Sequence, residues 1–387
     1  MTMDFRLNDQ QRDFQQTARQ FARDVLVDVA RECERTNAPV PDDVRRQMGD
    51  LGFLGINIPE EYGGLGAGKV DALIVLEELA KVSPAAAFPV FEANCGPTQT
   101  LLYQGSEKLK AQVLPRVCSG EMMVSVAMSE PDVGTAMTDL TTRAEIKNDR
   151  IVINGVKRWC SGAGHARGYV LYCRLSDKPG AAGVGAVYLE KDTPGLSFGK
   201  PEVFMGVRGF HNAEIYLDNV EIPVENIIVP AGGVRDLMRS FNMERLGNAT
   251  CALGIAASAL DVALDYTQSR VQFGKPIVDF QAVQLRLADM KVDVEAMRLL
   301  IHRAAQAAED GLPSLMDTSV AKSFANEAVR RVVAHGIQVM GANGYNSEYP
   351  MEQKVRDSWV WGIGGGHIDL QKVNITSEMV GRRFPQR

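Results

Sequence analysis

The chain has 387 residues, 45% of them hydrophobic and 23% charged, an ordinary soluble globular composition with room for two or three domains and a sizeable core. A net charge of -6, with Lys and Arg scattered, argues against nucleic acid or an anionic membrane surface as the main partner. Cys33, Cys95, Cys118, Cys160, Cys173 and Cys251 form no Cys-x-x-Cys pair and have no His at ligand spacing, so the expectation is reduced thiols in a cytoplasmic protein without a metal site.

The first residues, MTMDFRLNDQQRDF, place charges where a signal peptide needs an apolar run, and nowhere are there 18 consecutive apolar residues. Secretion and membrane spanning are both disfavoured. Asn8 followed three residues later by Gln11 reads as a capping box, and Phe14, Ala18, Phe21, Ala22 and Val25 mark the amphipathic helix behind it. Further helices are expected near 41 to 51, 69 to 82, 97 to 104 and 106 to 118. The glycines of INIPEEYGGLGAGK lack P-loop spacing and a strand-to-helix dinucleotide unit, so this segment reads as a structural loop.

From about residue 122 the texture changes. The β-branched and aromatic runs MMVSVAM, RIVINGVKRW, GYVLYCRL, GVGAVYL and AEIYLDNVEI are separated by Asn-Asp, Asn-Gly, Pro-Gly and Asp-Asn turn signals, which spells a β domain of roughly 110 residues. After Gly232-Gly233 the pattern is helical again.

The dominant stretch there runs from Phe241 to Lys275. Leu246, Ala249, Leu253, Ala257, Leu260 and Leu264 recur at steps of three and four, so one long buried helix is expected, opening on Glu244-Arg245 and stopping at Gly274. At 1.5 Å per residue, Glu244 and Arg270 lie roughly 39 Å apart. If both are functional they serve different copies of a site, which makes the protein an oligomer. Helices at 278 to 310, with apolar Val283, Leu285, Leu287, Val292 and Leu299, and at 317 to 340 follow, then a short one after Pro350 and the loop WGIGGGHID. There are no internal repeats.

MSEPDVGT at 128 to 135, NGVKRWCSG at 154 to 162, the Phe241 to Lys275 stretch ending SRVQFGKPI, FQAVQLRLADM at 280 to 290, and HGIQVMGANGY with YPMEQKVRD at 335 to 357 together resemble the acyl-CoA dehydrogenase family in order and spacing. The resemblance implies an α+β fold: an N-terminal helical domain (1 to 121), a middle antiparallel β domain (122 to 233) and a C-terminal four-helix bundle (234 to 387). It also implies FAD, an acyl-CoA substrate, electron-transferring flavoprotein as acceptor, and a homo-oligomer, usually a tetramer.

The same resemblance assigns residues. Val126, Met128, Ser129, Gly134, Thr135, Trp159, Cys160 and Ser161 would line the flavin pocket, with Trp159 on a ring face and Ser129 and Ser161 near the reactive edge. Arg270 and Phe273 resemble the pair holding the adenosine diphosphate half, with Gln281, Gln338, Gly341 and Ala342 as further contacts from a neighbouring subunit. Thr135, Asn242, Arg245, Gly365 and Gly366 are implied substrate contacts, and His367 and Asp369 flavin contacts.

Abstracting an α-proton from a thioester requires a poised carboxylate. Most of the family carries it in a C-terminal E-G-T loop, where this chain reads Gly365-Gly366-His367. Met243-Glu244-Arg245 fits the isovaleryl-CoA type, in which the base sits on the long helix, so Glu244 is the candidate base, with the Gly365 amide still able to bind the thioester carbonyl. An acid in a first helical turn also satisfies the macrodipole without chemistry. Three further departures bear on the substrate. The family's G-S-D is Gly134-Thr135-Ala136 here, Asp369 stands where a Gln is common, and His367, in place of the usual Thr, reads either as a proton donor or substrate contact or as a helix cap. The leading expectation is dehydrogenation of a short, branched or modified acyl-CoA; the alternatives are an enoyl-CoA reductase, a desulfinase, or a silent FAD- and CoA-binding subunit.

Overall fold

A computed structural model describes residues 6 to 308 and 311 to 384. The N-terminal part is helical: α1 (Asp9–Phe21), α2 (Val27–Thr36), α3 (Asp42–Asp50), α4 (Lys69–Val82), α5 (Phe88–Asn94), α6 (Pro97–Gln104) and α7 (Glu107–Cys118). The capping box is present: Asn8 Oδ1 accepts from the Gln11 amide at 2.8 Å while Gln11 Oε1 accepts from the Asn8 amide at 3.1 Å. The first helix does not run straight into the second, because a π-helical turn, Ala22–Leu26, lies between them. α4 is the buried member. Even its Glu77 and Glu78 are inside, and both are paired, Glu77 with Arg298 at 2.7 Å and Glu78 with Arg19 at 3.0 Å.

The middle part is one mixed sheet built from β1 (Val124–Ala127), β2 (Arg143–Lys147), β3 (Arg150–Ser161), β4 (Gly168–Arg174), β5 (Val184–Glu190), β6 (Leu196–Phe198), β7 (Asn212–Pro223) and β8 (Ile227–Val229). Its order is β6-β7-β3-β2-β4-β5-β8, with β1 beside β4. Most pairs are antiparallel, as the hairpin signals require, but β1 runs parallel to β4 because it enters from the helical part and not through a hairpin. The long β3–β7 ribbon breaks register between Lys157 and Cys160, and Trp159 sits in that break with φ +60°.

The C-terminal part is carried by α8 (Val234–Ser269), followed by the hairpin β9 (Val271–Gln272) and β10 (Lys275–Pro276), then α9 (Gln281–Gln306), α10 (Leu315–Met340), α11 (Ala342–Tyr345), α12 (Met351–Asp357) and α13 (Ile368–Val380). α8 is long and apolar enough to cross a membrane by length and composition, yet 78% of its most apolar 18-residue window is buried inside the protein. Gly247 and Gly254 let neighbours reach its backbone: a Cβ at Gly247 would lie 2.6 Å from Cys95 Cβ, and one at Gly254 2.6 Å from Ala80 Cβ.

Three sequence expectations need correction here, and a fourth gains detail. The central helix starts seven residues before Phe241, so Glu244 lies three turns in and the first-turn dipole argument does not apply to it. The helix stops at Ser269, and Phe273 (φ +51°) and Gly274 (φ +80°) form the turn of a hairpin instead of a helix end. The apolar stripe is sealed only to Ala257; Leu264 is exposed. On α9, Leu287 is buried but Leu285, Val292 and Leu299 face outward, and the expected end at 310 falls outside the described residues.

Candidate active site

The residues implicated by sequence fall into three groups. The first is built on β1 and β3. The Arg158 amide donates to the Ser129 carbonyl at 2.9 Å, and the Lys157 ammonium to the Met128 carbonyl at 2.9 Å, which brings Val126, Met128 and Ser129 against Trp159 and Ser161. Trp159 is half-exposed, with the Arg158 guanidinium 4.4 Å from its ring, and Ser161 Oγ accepts from Asn212 Nδ2 at 3.2 Å. Gly134 and Thr135 are exposed beyond them. Cys160 departs from its assignment: β alternation turns its thiol into the core, so only its backbone faces the others.

Beneath this group lies a pair that the sequence reading passed over. Lys157 and Glu130 are both buried, 2.8 Å apart, and Glu130 also accepts from the Thr141 amide at 2.7 Å and the Thr142 amide at 2.9 Å. Burial alone would raise the Glu130 carboxyl, but the Lys157 ammonium and these donors bring it down to about 2. The pair pins the 128 to 142 segment to β3. Its signal is Glu130, the first of the two acids in MSEPDVGT, matched by the lone Lys in the β run NGVKRW.

The second group surrounds Glu244. From Ser240 to Ala257 it is the one residue of α8 that is not buried. Desolvation raises its carboxyl to about 7 against the pull of Lys322 and Arg245, while burial first, and Glu244 after it, push up the buried acid Glu92 and the Cys95 thiol on the facing α5 segment. Glu92 leaves Oε2 without a hydrogen-bond partner. Asn242 and Arg245, the implied CoA contacts, turn inward: both are buried, Arg245 donates to Asn242 Oδ1, and Asn242 Nδ2 donates to the Pro313 carbonyl at 2.8 Å.

Over this turn of α8 hangs the 361 to 366 loop. Asn248, one turn past Glu244, donates to the Gly364 carbonyl at 3.3 Å. Gly365 and Gly366 have φ +63° and +87°, conformations that Gly adopts at least cost, and among the described residues neither amide donates to a protein acceptor. His367 caps α13, its Nδ1 accepting from the Asp369 amide at 3.3 Å, and Asp369 is exposed in that first turn.

The third group collects at the far end of the bundle. Arg270, Phe273, Gln281, Gln338, Gly341 and Ala342 are all exposed, Phe273 to 93%. Arg286 and His335, in contact at 3.0 Å, put the Gln281 end of α9 beside the Gln338 end of α10, and Asn343 Nδ2 donates to Tyr266 Oη at 2.9 Å, bringing the end of α8 to the same place. In one chain, then, the first two groups and the third lie at opposite ends of α8.

A half-exposed Trp beside free polar groups, a turn of unpartnered amides, and an uncovered Phe with a cation and two amides suit an elongated ligand with a flat ring system at one end and an anionic, aromatic tail at the other. FAD has that shape, and the residues present fit it, provided two copies of the chain contribute.

Comparison with known proteins agrees with the architecture. Residues 8–121 match the acyl-CoA dehydrogenase N-terminal domain, 125–220 the middle domain and 231–380 the C-terminal domain. The chain is 36% identical to glutaryl-CoA dehydrogenase of Desulfococcus multivorans over 390 residues, covering 100% of both. It is 33% identical to 3-sulfinopropanoyl-CoA desulfinase of Paraburkholderia xenovorans, covering 99% of both. The structure of butyryl-CoA dehydrogenase from Megasphaera elsdenii superposes with a TM-score of 0.94 at 30% identity, over 98% of this chain and 100% of that one. The chain belongs to the acyl-CoA dehydrogenase family.

Proposed function

We propose that the protein is an FAD-dependent acyl-CoA dehydrogenase in which Glu244 removes the α-proton of the thioester. The carrying observation is the pairing of a raised, partly accessible carboxyl on α8 with an overhanging loop that has no acid of its own. A base of pKa about 7 is ionised enough to accept a proton at neutral pH and basic enough to hold it. FAD, when bound, supplies the acceptor for the hydride that leaves the β-carbon. The open amides of Gly365 and Gly366 bind the thioester carbonyl oxygen, lowering the cost of the negative charge that grows there as the α-proton departs. Trp159 and Ser161 hold the ring system, and Arg270, Phe273, Gln281 and Gln338 of a second copy hold the adenosine end.

Two further features bear on substrate and assembly. A Cβ at Gly247 would lie 2.8 Å from the Phe91 ring, and Phe91 sits against Phe88 and Trp361, which in turn pack on Phe210. This aromatic cluster fills the space beside Glu244 and favours a short or branched acyl group. Leu285, Val292 and Leu299 expose apolar side chains at steps of seven along α9, a seam that a second copy would cover. A homotetramer is the expected state, passing electrons to electron-transferring flavoprotein; a monomeric mass in solution would remove the shared site.

The test is to add saturated acyl-CoAs of increasing length to the yellow protein without oxygen. Bleaching that favours short or branched chains, and that Glu244→Gln abolishes, is the expected result. The desulfinase relative gives a second reading, redox-neutral loss of a β-substituent. Hydrolytic cleavage of the C–S bond of a β-sulfino thioester, water supplying the proton to carbon and the oxygen to the sulfur oxyanion released, with no bleaching by any saturated acyl-CoA, would favour it.

A further inference from the structure

The 361 to 366 loop is held from below by a buried cation. Lys322 of α10 is fully buried, and its ammonium donates to the Gly364 carbonyl at 2.6 Å and the Trp361 carbonyl at 3.2 Å. Two amides complete the support. Asn248 reaches the same Gly364 carbonyl and accepts from Asn326 Nδ2 at 3.1 Å; Gln371 donates to the Gly366 carbonyl at 3.1 Å and accepts from Ser319 at 3.1 Å. A trans peptide points its carbonyl and its amide N–H in opposite directions, so with the Gly364 carbonyl turned down onto these donors the Gly365 amide faces the other way. A Cβ at Gly365 would lie only 3.1 Å from Lys322 Nζ, so the ammonium occupies the place where a loop residue would start its side chain.

We propose that Lys322 is a positioning residue that locks this turn with the Gly365 amide facing the thioester and serves as the buried counter-cation of Glu244. The proposal rests on Glu244 as the base. The groups around Glu244 are Arg245 on its own helix, Lys322 on α10, Glu92 and Cys95 from the α5 side, and Tyr172 on β4. With both cations charged, the site is doubly positive when both acids are protonated, singly positive when Glu244 alone is ionised, and neutral only when Glu92 is ionised as well. Removing Lys322 takes away a charge that favours the carboxylate, and it also frees the turn. Burial, with Arg245 nearby, lowers the Lys322 ammonium well below its ordinary value and Glu244 pulls it back up; the 2.6 Å bond is short, as expected of a charged donor.

The experiment uses the full-length flavoprotein. The Glu244 carboxyl is titrated by infrared difference against Glu244→Gln, and anaerobic bleaching is followed against pH. Lys322→Gln, or Lys322→Met should the first not fold, is expected to raise the Glu244 midpoint by about one unit or more and to lower the bleaching rate at neutral pH about fivefold or more, since a one-unit rise from about 7 takes the ionised fraction at pH 7 from about a half to about a tenth. Lys322→Arg keeps the charge and is expected to restore the midpoint while leaving the rate partly impaired, because a planar fork does not reproduce the ammonium's two bonds. An unmoved midpoint in the Gln or Met variant overturns the proposal, as does a midpoint raised equally in the Arg variant. Failure of Glu244 as the base has a different signature: Glu244→Gln would keep its turnover, whereas the infrared midpoint reports the Lys322 contact whatever role Glu244 has.

Discussion

The two ends of α8 are finished in opposite ways. Around Glu244 the chain seals the helix with its own residues, and it buries Arg245, Lys322 and Glu92 with that acid although each charge is costly to desolvate. Around Arg270 it seals almost nothing, leaving Leu264, Val271 and Phe273 exposed. Buried, mutually dependent charge is difficult to explain by stability alone and points to chemistry. Exposed apolar and aromatic groups next to an unpaired-looking cation point to an occupant from outside the chain. One helix therefore reads as a reaction centre at one end and a docking end at the other.

The strongest way to break this comparison is Glu244→Gln. The swap preserves shape and removes only the basicity, so flavin should stay bound while the bleaching rate falls on the order of 10²–10⁴-fold. In the wild type that rate should climb with pH through about 7, because the base works only when ionised. A rate that is flat from pH 5 to 9 would remove the base from this end of the helix.

Arg270→Ala acts on the other end. Losing hydrogen bonds from a charged group costs about 1.5–3 kcal/mol, so FAD should bind roughly ten- to a hundredfold more weakly, read by flavin fluorescence titration. With FAD in excess, KM for the acyl-CoA and the pH limb should match the wild type. A changed pH limb would mean that the two ends are not separate.

A third measurement uses stability instead of rate. Glu244 has an ordinary value of 4.5 unfolded and about 7 folded, so between those pH values the folded protein keeps a proton that the unfolded chain has released. Wild-type stability therefore falls as pH rises from 4.5 to 7 and stays lowered above. Glu244→Gln lacks this fall, and its stability relative to wild type should grow across the same window to a plateau. The shift sets a ceiling of about 3 kcal/mol; partial accessibility, and the cations left behind, reduce the expected gain to on the order of 1–2 kcal/mol. Denaturant titrations at pH 4.5 and 8 would measure it.

Much of this was legible before any coordinates, and the rest was hidden for identifiable reasons. The helical, β and helical textures and the missing loop acid stand in the sequence itself. The true start of α8 does not, because Gly233 offers no side-chain cap and Val234 to Ser240 lack the apolar rhythm. That Leu285, Val292 and Leu299 are exposed is not readable from the sequence, because an apolar face has the same period whether its own chain or a second copy covers it. Lys322 was invisible as a functional group: a lone Lys normally reads as solvated, although its neighbours Thr318, Ala321, Ala325 and Val329 place it on the buried face. Short α5 follows Ala87, which has no capping side chain, and α13 is capped by His367 and not by Ser, Thr, Asp or Asn, so neither gives the usual start signal.

His367 provides the smallest test and the finest one. It follows the glycine turn directly, and on position alone a histidine there invites a role as proton donor to the substrate. Its geometry is that of a cap: Nδ1 accepts from the Asp369 amide at 3.3 Å and faces the Asp369 carboxylate at 3.5 Å, and both side chains are largely in solvent. A long hydrogen bond at an exposed helix start contributes little, so His367→Ala should cost about 0.5 kcal/mol, at the low end for caps, and His367→Asn should recover it. Neither should move the pH limb set by Glu244. If His367→Ala instead lost rate with unchanged stability, the acid–base work would be divided between α8 and the loop, and the catalytic end of the helix would no longer be the centre on its own.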